Sequence, residues 1–505
     1  MAFITQLKKD RGSLFMGCFA NIGAILFGFD AGGIGPFVAL KSFKADFHLS
    51  TNPAKYANTS GNIVTLLNAG AFFGCLMPPI VGKYYGRRML LAIAGFFFLI
   101  GAILQVAAVP PNLAMIYAGR TIAGFGIGMI SNTAPTFVAE CAPKHLRAFL
   151  MATFDLFLII GGLIAYFAVY GCSVNLPPTS AQWRIPISLQ VPLALFVMIS
   201  PYFMVESPRW LAKSGQWDKS MNALCKIRLL DSSDPEIIEE MAEIRAQIEQ
   251  ELDTTSGRSV KELFIQGNWQ RLLWGLSVIV FTLWCGHSVI LYYGPTVFAQ
   301  IGFTSQNSAL LGSGIVLVVK FGAVVLFLLG FVRFFSRKSL LMSGTFIMGA
   351  CLFSLGALLT THVPGTPGNN SNSPSGKSMI AFIYIYMIGY SISWGTLSWV
   401  YIGEIFPSRI RDYGMSACTM MFWLMNFVVS KIGPIAILNI GWKTWMIFGT
   451  TNIAACIFCF FLPETNNLSL EEMDVLFGAV DESVRKRDIE LNVNEKSIRA
   501  TVEEI

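Results

Sequence analysis

The chain has 505 residues, of which 54% are hydrophobic and only 13% charged, with a mean hydropathy of +0.58 and a net charge of +6. That is more apolar surface than a water-soluble fold can cover, so much of it must face lipid. The imbalance excludes a soluble enzyme and gives no basic surface for nucleic acid.

Apolar windows long enough to span a bilayer recur along the chain, at 13–36, 61–82, 89–108, 112–133, 149–171 and 187–204. They resume at 271–293, 309–332, 339–360, 379–402, 413–436 and 443–462, giving about twelve spans. Long apolar runs favour helices over a β-barrel, whose strands would alternate in polarity. The first run carries Asp30 and lacks a small-residue cleavage site, so it reads as a membrane helix and not a signal peptide.

Basic residues gather between spans 2 and 3 (Lys83, Arg87, Arg88), 4 and 5 (Lys144, Arg147), 8 and 9 (Arg333, Arg337, Lys338) and 10 and 11 (Arg409, Arg411). By the positive-inside rule those loops are cytoplasmic, and an even span count puts both termini inside. Two glycosylation sequons, at Asn58 and Asn369, then fall outside. The ten cysteines lie mostly in spans and read as apolar fillers, with no metal or disulfide framework.

Between Ala212 and Phe264 the composition turns polar, with Ile237, Ile238, Met241, Ile244 and Ile248 at helical spacing. The expected organisation is a cytoplasmic N-terminus (1–11), a six-helix bundle (12–211), a cytoplasmic helical linker (212–270), a second six-helix bundle (271–466) and a charged cytoplasmic tail (467–505). The fold class is all-α and polytopic, with the two bundles pseudo-symmetric.

Repeats support that division. Gly82–Arg88 is answered by Arg333–Lys338, Pro135–Arg147 by Trp399–Arg411, and Glu206 with its neighbours by Glu464-Thr465-Asn466, at offsets of about 250 to 264 residues. Transporters use such duplication to alternate access around a midplane site. Glu140 and Glu404 end helices at the cytoplasmic boundary, each followed seven residues later by an arginine, Arg147 and Arg411. Together with Arg87, Arg88, Glu206, Arg209 and Arg337 they are candidates for a latch of ion pairs that closes the inner side, or else for snorkelling residues with no gating role.

Jointly these motifs resemble the sugar porter branch of the major facilitator superfamily. The resemblance is carried by Gly28-Phe29-Asp30, Gly86-Arg87-Arg88, Gly119-Arg120 with Gly124, Gly126 and Gly128, Glu140 with Arg147, Glu206–Leu211, Tyr292–Pro295, Glu404 with Pro407 and Arg411, and Pro463-Glu464-Thr465. It covers about residues 12 to 466 and implies a secondary transporter, working as a monomer in a eukaryotic plasma membrane. The solute would be a sugar, polyol or related hydroxylated compound. A less polar metabolite exported from the cell, or a non-transporting nutrient sensor, are the rival readings.

Ionisable groups inside a membrane are costly and mark function by default. The resemblance implies that Asp30 binds and releases a proton while Arg120 tunes it; the alternative is a static buried ion pair that orders the N-terminal half. The solute site departs from the family: the two glutamines expected in span 7 align with Thr282 and Leu283, the asparagine with Ser288, the span 5 glutamine with Asp155, and asparagines of spans 8 and 11 with Leu317 and Phe422. Trp399 persists as an aromatic platform. Asp155, Thr282, His287, Ser288, Tyr292 and Trp399 are the candidate solute contacts, with Lys320 as an added base if it faces the cavity. A lone membrane histidine is also commonly a packing residue. No phosphate loop, catalytic carboxylate pair or metal cluster is evident, so no cofactor is expected.

Overall fold

The computed structural model describes residues 10–49, 52–143, 146–254, 260–265, 267–331, 335–361, 371–407, 410–465 and 477. Lys144, Arg333, Arg409, Asn369 and most of the tail at 467–505 lie outside the described residues.

Eighteen helices carry the argument. In the first half they are α1 (Arg11–Asn21), α2 (Gly23–Ala39), α3 (Pro53–Gly74), α4 (Met77–Val106), α5 (Ala114–Cys141), α6 (Arg147–Asn175), α7 (Ala181–Ser188) and α8 (Gln190–Ile199). The linker holds α9 (Trp217–Arg228) and α10 (Pro235–Thr254). The second half has α11 (Asn268–Trp284), α12 (His287–Gln300), α13 (Gln306–Leu326), α14 (Arg337–Thr361), α15 (Pro374–Tyr390), α16 (Thr396–Ile405), α17 (Arg411–Ile440) and α18 (Lys443–Phe461).

Among the described residues ten helical segments are long and apolar enough to cross a bilayer, and the bent pair α1–α2 makes eleven. Helix α3 is also long enough at 22 residues, but Asn62, Thr65 and Asn68 make it too polar to pass on composition. It supplies the remaining span, because that polar face is covered by α5 and α17. The windows at 61–82 and 89–108 meet at a kink: Gly86 has φ of 81°, a left-handed value that breaks the 30-residue segment α4 into two pieces.

Small residues let the helices of each half approach closely. A Cβ on Gly28 of α2 would lie 1.7 Å from the carbonyl oxygen of Leu158 on α6, so no larger residue fits there. The most extensive contacts between the halves run along α3 against α17, α2 against α12, and α6 against α13 and α16.

The linker builds its own small core from Ala212, Leu224, Ile237, Met241, Ile244 and Ile248. Ile238, although in register in the sequence, is exposed. Arg228 ties the linker to the first half, donating to Ser13 Oγ at 2.6 Å and to the Cys141 carbonyl at 3.0 Å.

Candidate functional site

Two helices are broken where the halves face each other. Gly286, with φ of 103°, separates α11 from α12. The carbonyls freed by the break are satisfied by side chains: Tyr386 and Asn452 donate to the Cys285 oxygen at 3.0 and 3.1 Å, and Thr451 to that of Trp284 at 2.6 Å. Irregular backbone at membrane depth persists only with such partners. The second break is a wide turn at Ser391–Gly395 between α15 and α16.

Those breaks place a polar cluster between the halves. Asp155 on α6 faces Lys320 on α13, with Nζ 3.6 Å from Oδ1, and both side chains are buried. Thr396, at the start of α16, lies 3.0 Å from Asp155 Oδ2 and 3.1 Å from the Ser391 carbonyl. It has one hydroxyl proton and can serve only one of them at a time. Tyr390 lies under the Lys320 ammonium at 5.7 Å and stacks flat on the His287 ring, centroids 3.9 Å apart. Thr282 and Ser398 share a hydrogen bond of 2.6 Å.

Around this cluster the wall is aromatic. Trp399 packs on Phe154 at 5.8 Å and on Phe422 at 5.1 Å, and Phe422 continues to Trp423 and Phe27. Ser288 is buried on α12. Tyr292 accepts a hydrogen bond from Asn426 at 2.9 Å, and Asn426 also reaches Asn68 on α3 at 3.4 Å. Asn426 lies one helical turn beyond Phe422, so the amide lost from the aligned position is regained on the same face of α17. Alignment position by position missed it; reading α17 by turns would have found it.

Asp30 and Arg120 are brought together as expected, in direct contact, 2% and 1% exposed. Arg120 also donates from Nε to the Ile63 carbonyl at 3.0 Å. They line a cavity with Gly33, Phe37, Gln105 and Gln190, whose space for a water centre is ≈ 20 Å³, enough for one water. This cavity belongs wholly to the first half and is separate from the Asp155 cluster.

At the face carrying the basic loops, Arg87 bridges Glu140 and Asp412, each at 2.8 Å, and Asp412 comes from the opposite half. Asp412 escaped the sequence reading because it stands beside the more conspicuous Arg411. Glu206 plays a different part: it accepts the backbone N–H groups of Arg87, Arg88 and Ser207 at 3.0, 3.2 and 2.9 Å, capping the helix that restarts after Gly86. The second half repeats this, with Glu464 accepting from the N–H groups of Arg337 and Lys338 and Arg337 pairing with Glu404 at 3.3 Å. Arg88 donates to the carbonyls of Pro201 and Tyr202 at the end of span 6.

The seven-residue Glu-to-Arg spacing does not pair within itself. Among the described residues Glu140 meets Arg87 and not Arg147, because the chain turns away after Cys141. Arg147 sits beside Arg411, Arg209 and Arg228, and burial with that crowding pushes its guanidinium down to about 9. Arg411 donates to the Phe406 carbonyl. Burial raises the Glu206 carboxyl, and the N–H groups it caps hold it partly back. Asn58 stands inside α3, exposed, with Lys431 donating to its side-chain oxygen at 2.6 Å.

The family model for "Sugar (and other) transporter" matches residues 16–477. A "Probable quinate permease" of Aspergillus clavatus is 33% identical over 91% of this chain and 86% of its own length. A "Quinate permease" of Neurospora terricola is 33% identical over 91% and 87%. In structure the chain is similar to the proton:xylose symporter XylE bound to 6-bromo-6-deoxy-D-glucose, at a TM-score of 0.79 and 26% identity, covering 93% of this chain and all of that one. Against XylE from E. coli in its inward-open conformation the TM-score is 0.70 at 25% identity, covering 92% and 99%. With two six-helix halves, a polar cluster between them and a match along nearly the whole sequence, the chain belongs to the sugar transporter family and is a multi-pass membrane transporter, not an enzyme.

Proposed function

We propose that the chain is a proton-coupled secondary transporter of a small hydroxylated compound, with Asp30 as the proton carrier and Arg120 as its counter-charge. The observation that carries this reading is an intramembrane acid–base pair buried together beside a cavity large enough for a water. When Asp30 takes a proton, Arg120 loses its neutralising partner and leans on carbonyls such as that of Ile63, which it already touches. Protonation therefore changes how α2, α3 and α5 are held together, and that is the element a solute-driven rearrangement can use.

The symporter and permease names of the relatives support the same reading. Quinate, named in two of them, makes hydroxylated ring acids the first solutes to try. In the same reading the basic face is cytoplasmic, both termini lie inside, and one chain is the working unit in a plasma membrane. Purified protein in liposomes with an imposed pH gradient tests it: gradient-driven accumulation is expected, and Asp30→Asn is expected to abolish accumulation while solute exchange persists. Undiminished accumulation by the variant refutes the coupling role.

A further inference from the structure

The ion pair at the centre of the molecule has no part in the coupling just proposed. Lys320 and Asp155 are 3% and 6% exposed and come from opposite halves. Their separation of 3.6 Å is well beyond the roughly 2.7–2.9 Å of a charge-assisted hydrogen bond. An ammonium has three donors to place. Here it is offered one distant carboxylate oxygen and the face of the Tyr390 ring at 5.7 Å. Asp155 is better served, since Thr396 lies within hydrogen-bond distance of its other oxygen.

The neighbouring His287 adds to the imbalance. Its ring is fixed flat on Tyr390, and its buried Nε2 makes no hydrogen bond among the described residues. Beyond the cluster the wall is carbon, from Trp399, Phe422, Phe27 and Phe154. A buried, aromatic surround makes an under-compensated positive charge costly, and a neutral polyol brings no charge to offset it. A carboxylate does, and a hydroxylated ring behind it would lie on the aromatic wall.

We propose that Lys320 anchors the carboxylate of a hydroxylated acid, which displaces Asp155 as its counter-ion and so releases one of the ties between the two halves. The solute is therefore recognised as an anion, and Lys320 and Asp155 together set that specificity. After the exchange Asp155 retains the Thr396 hydroxyl, whose one proton must then leave the Ser391 carbonyl. The proposal rests on the transporter reading for the meaning of the release, but the anchoring itself stands on equilibrium binding alone.

The test uses full-length purified protein and two matched pairs of probes, quinate with its carboxamide and gluconate with its carboxamide. Thermal shift and calorimetric titration read the binding. The wild-type protein is expected to prefer at least one acid over its amide by at least about tenfold, the range of a charged hydrogen bond converted to affinity. The double variant Lys320→Gln/Asp155→Asn removes both charges together, leaving no lone buried ion, and is expected to lose that preference while still melting cooperatively. Lys320→Arg is expected to keep it. If the wild type fails to distinguish any acid from its amide, including by binding none of them, or if the double variant keeps the wild-type ratio, the proposal is overturned. Lys320-dependent binding without flux in liposomes would sink the transporter reading and leave the anchor standing; flux with charge-blind binding would do the reverse.

Discussion

Arg87 offers the most direct perturbation of the closed basic face, through Asp412→Asn. Arg87 is nearly buried and Asp412 is 39% exposed, so their contact is neither a fully screened surface pair nor a dry one. Exposed pairs contribute roughly 0.2–1 kcal/mol, whereas breaking a buried pair costs roughly 3–5 kcal/mol. Arg87 keeps Glu140 when Asp412 is neutralised, so no charge is orphaned and the loss belongs near the lower end, about 1 kcal/mol. That tie exists only while the halves meet at this face, so its loss moves the equilibrium towards opening by about fivefold. Spin labels at Tyr84 and Ser339, exposed positions on the two halves, would report the separation in a cysteine-free background. The longer-distance population is expected to grow by that factor in Asp412→Asn, with cooperative melting retained. An unchanged distance distribution would refute the argument that this contact latches the halves.

Three further perturbations follow from packing and capping. Gly28→Ala drives a methyl group into the Leu158 backbone, which has no rotamer to escape by, so a stability loss of about 1–3 kcal/mol is expected, read as a lowered melting temperature. Glu206→Gln weakens the cap on the N–H groups of Arg87 and Arg88 and is expected to cost about 1 kcal/mol, visible as faster hydrogen exchange in the first turn after Gly86. Thr282→Val and Ser398→Ala each remove the bond between the two hydroxyls and leave the other with its own helix carbonyl, Val278 for Thr282 or Trp394 for Ser398, so a coupling of about 0.5 kcal/mol or more is expected in a double-mutant cycle. Additive costs would show that the hydroxyls are not coupled.

The sequence determined the span pattern and the repetition of one half by the other, and the family resemblance supplied the pairing of Asp30 with Arg120. The first two depend on hydrophobic length and on repeated motifs, which are local or composition-level constraints. Helix α3 was legible only as one more apolar window, because its polar face makes sense once α17 is there to meet it.

The tertiary structure alone decided who pairs with whom between the halves. Nothing in linear spacing puts Asp412 on Arg87, Lys320 against Asp155 or Asn426 beside Asn68, since each partner lies more than 100 residues away and is selected by how two bundles dock. Within the first half Glu140 meets Arg87 on α4, although Arg147 follows it by seven residues. Sequence spacing predicts contacts along one continuous helix, and the chain leaves that helix after Cys141, so a residue across the bundle claims the carboxylate first.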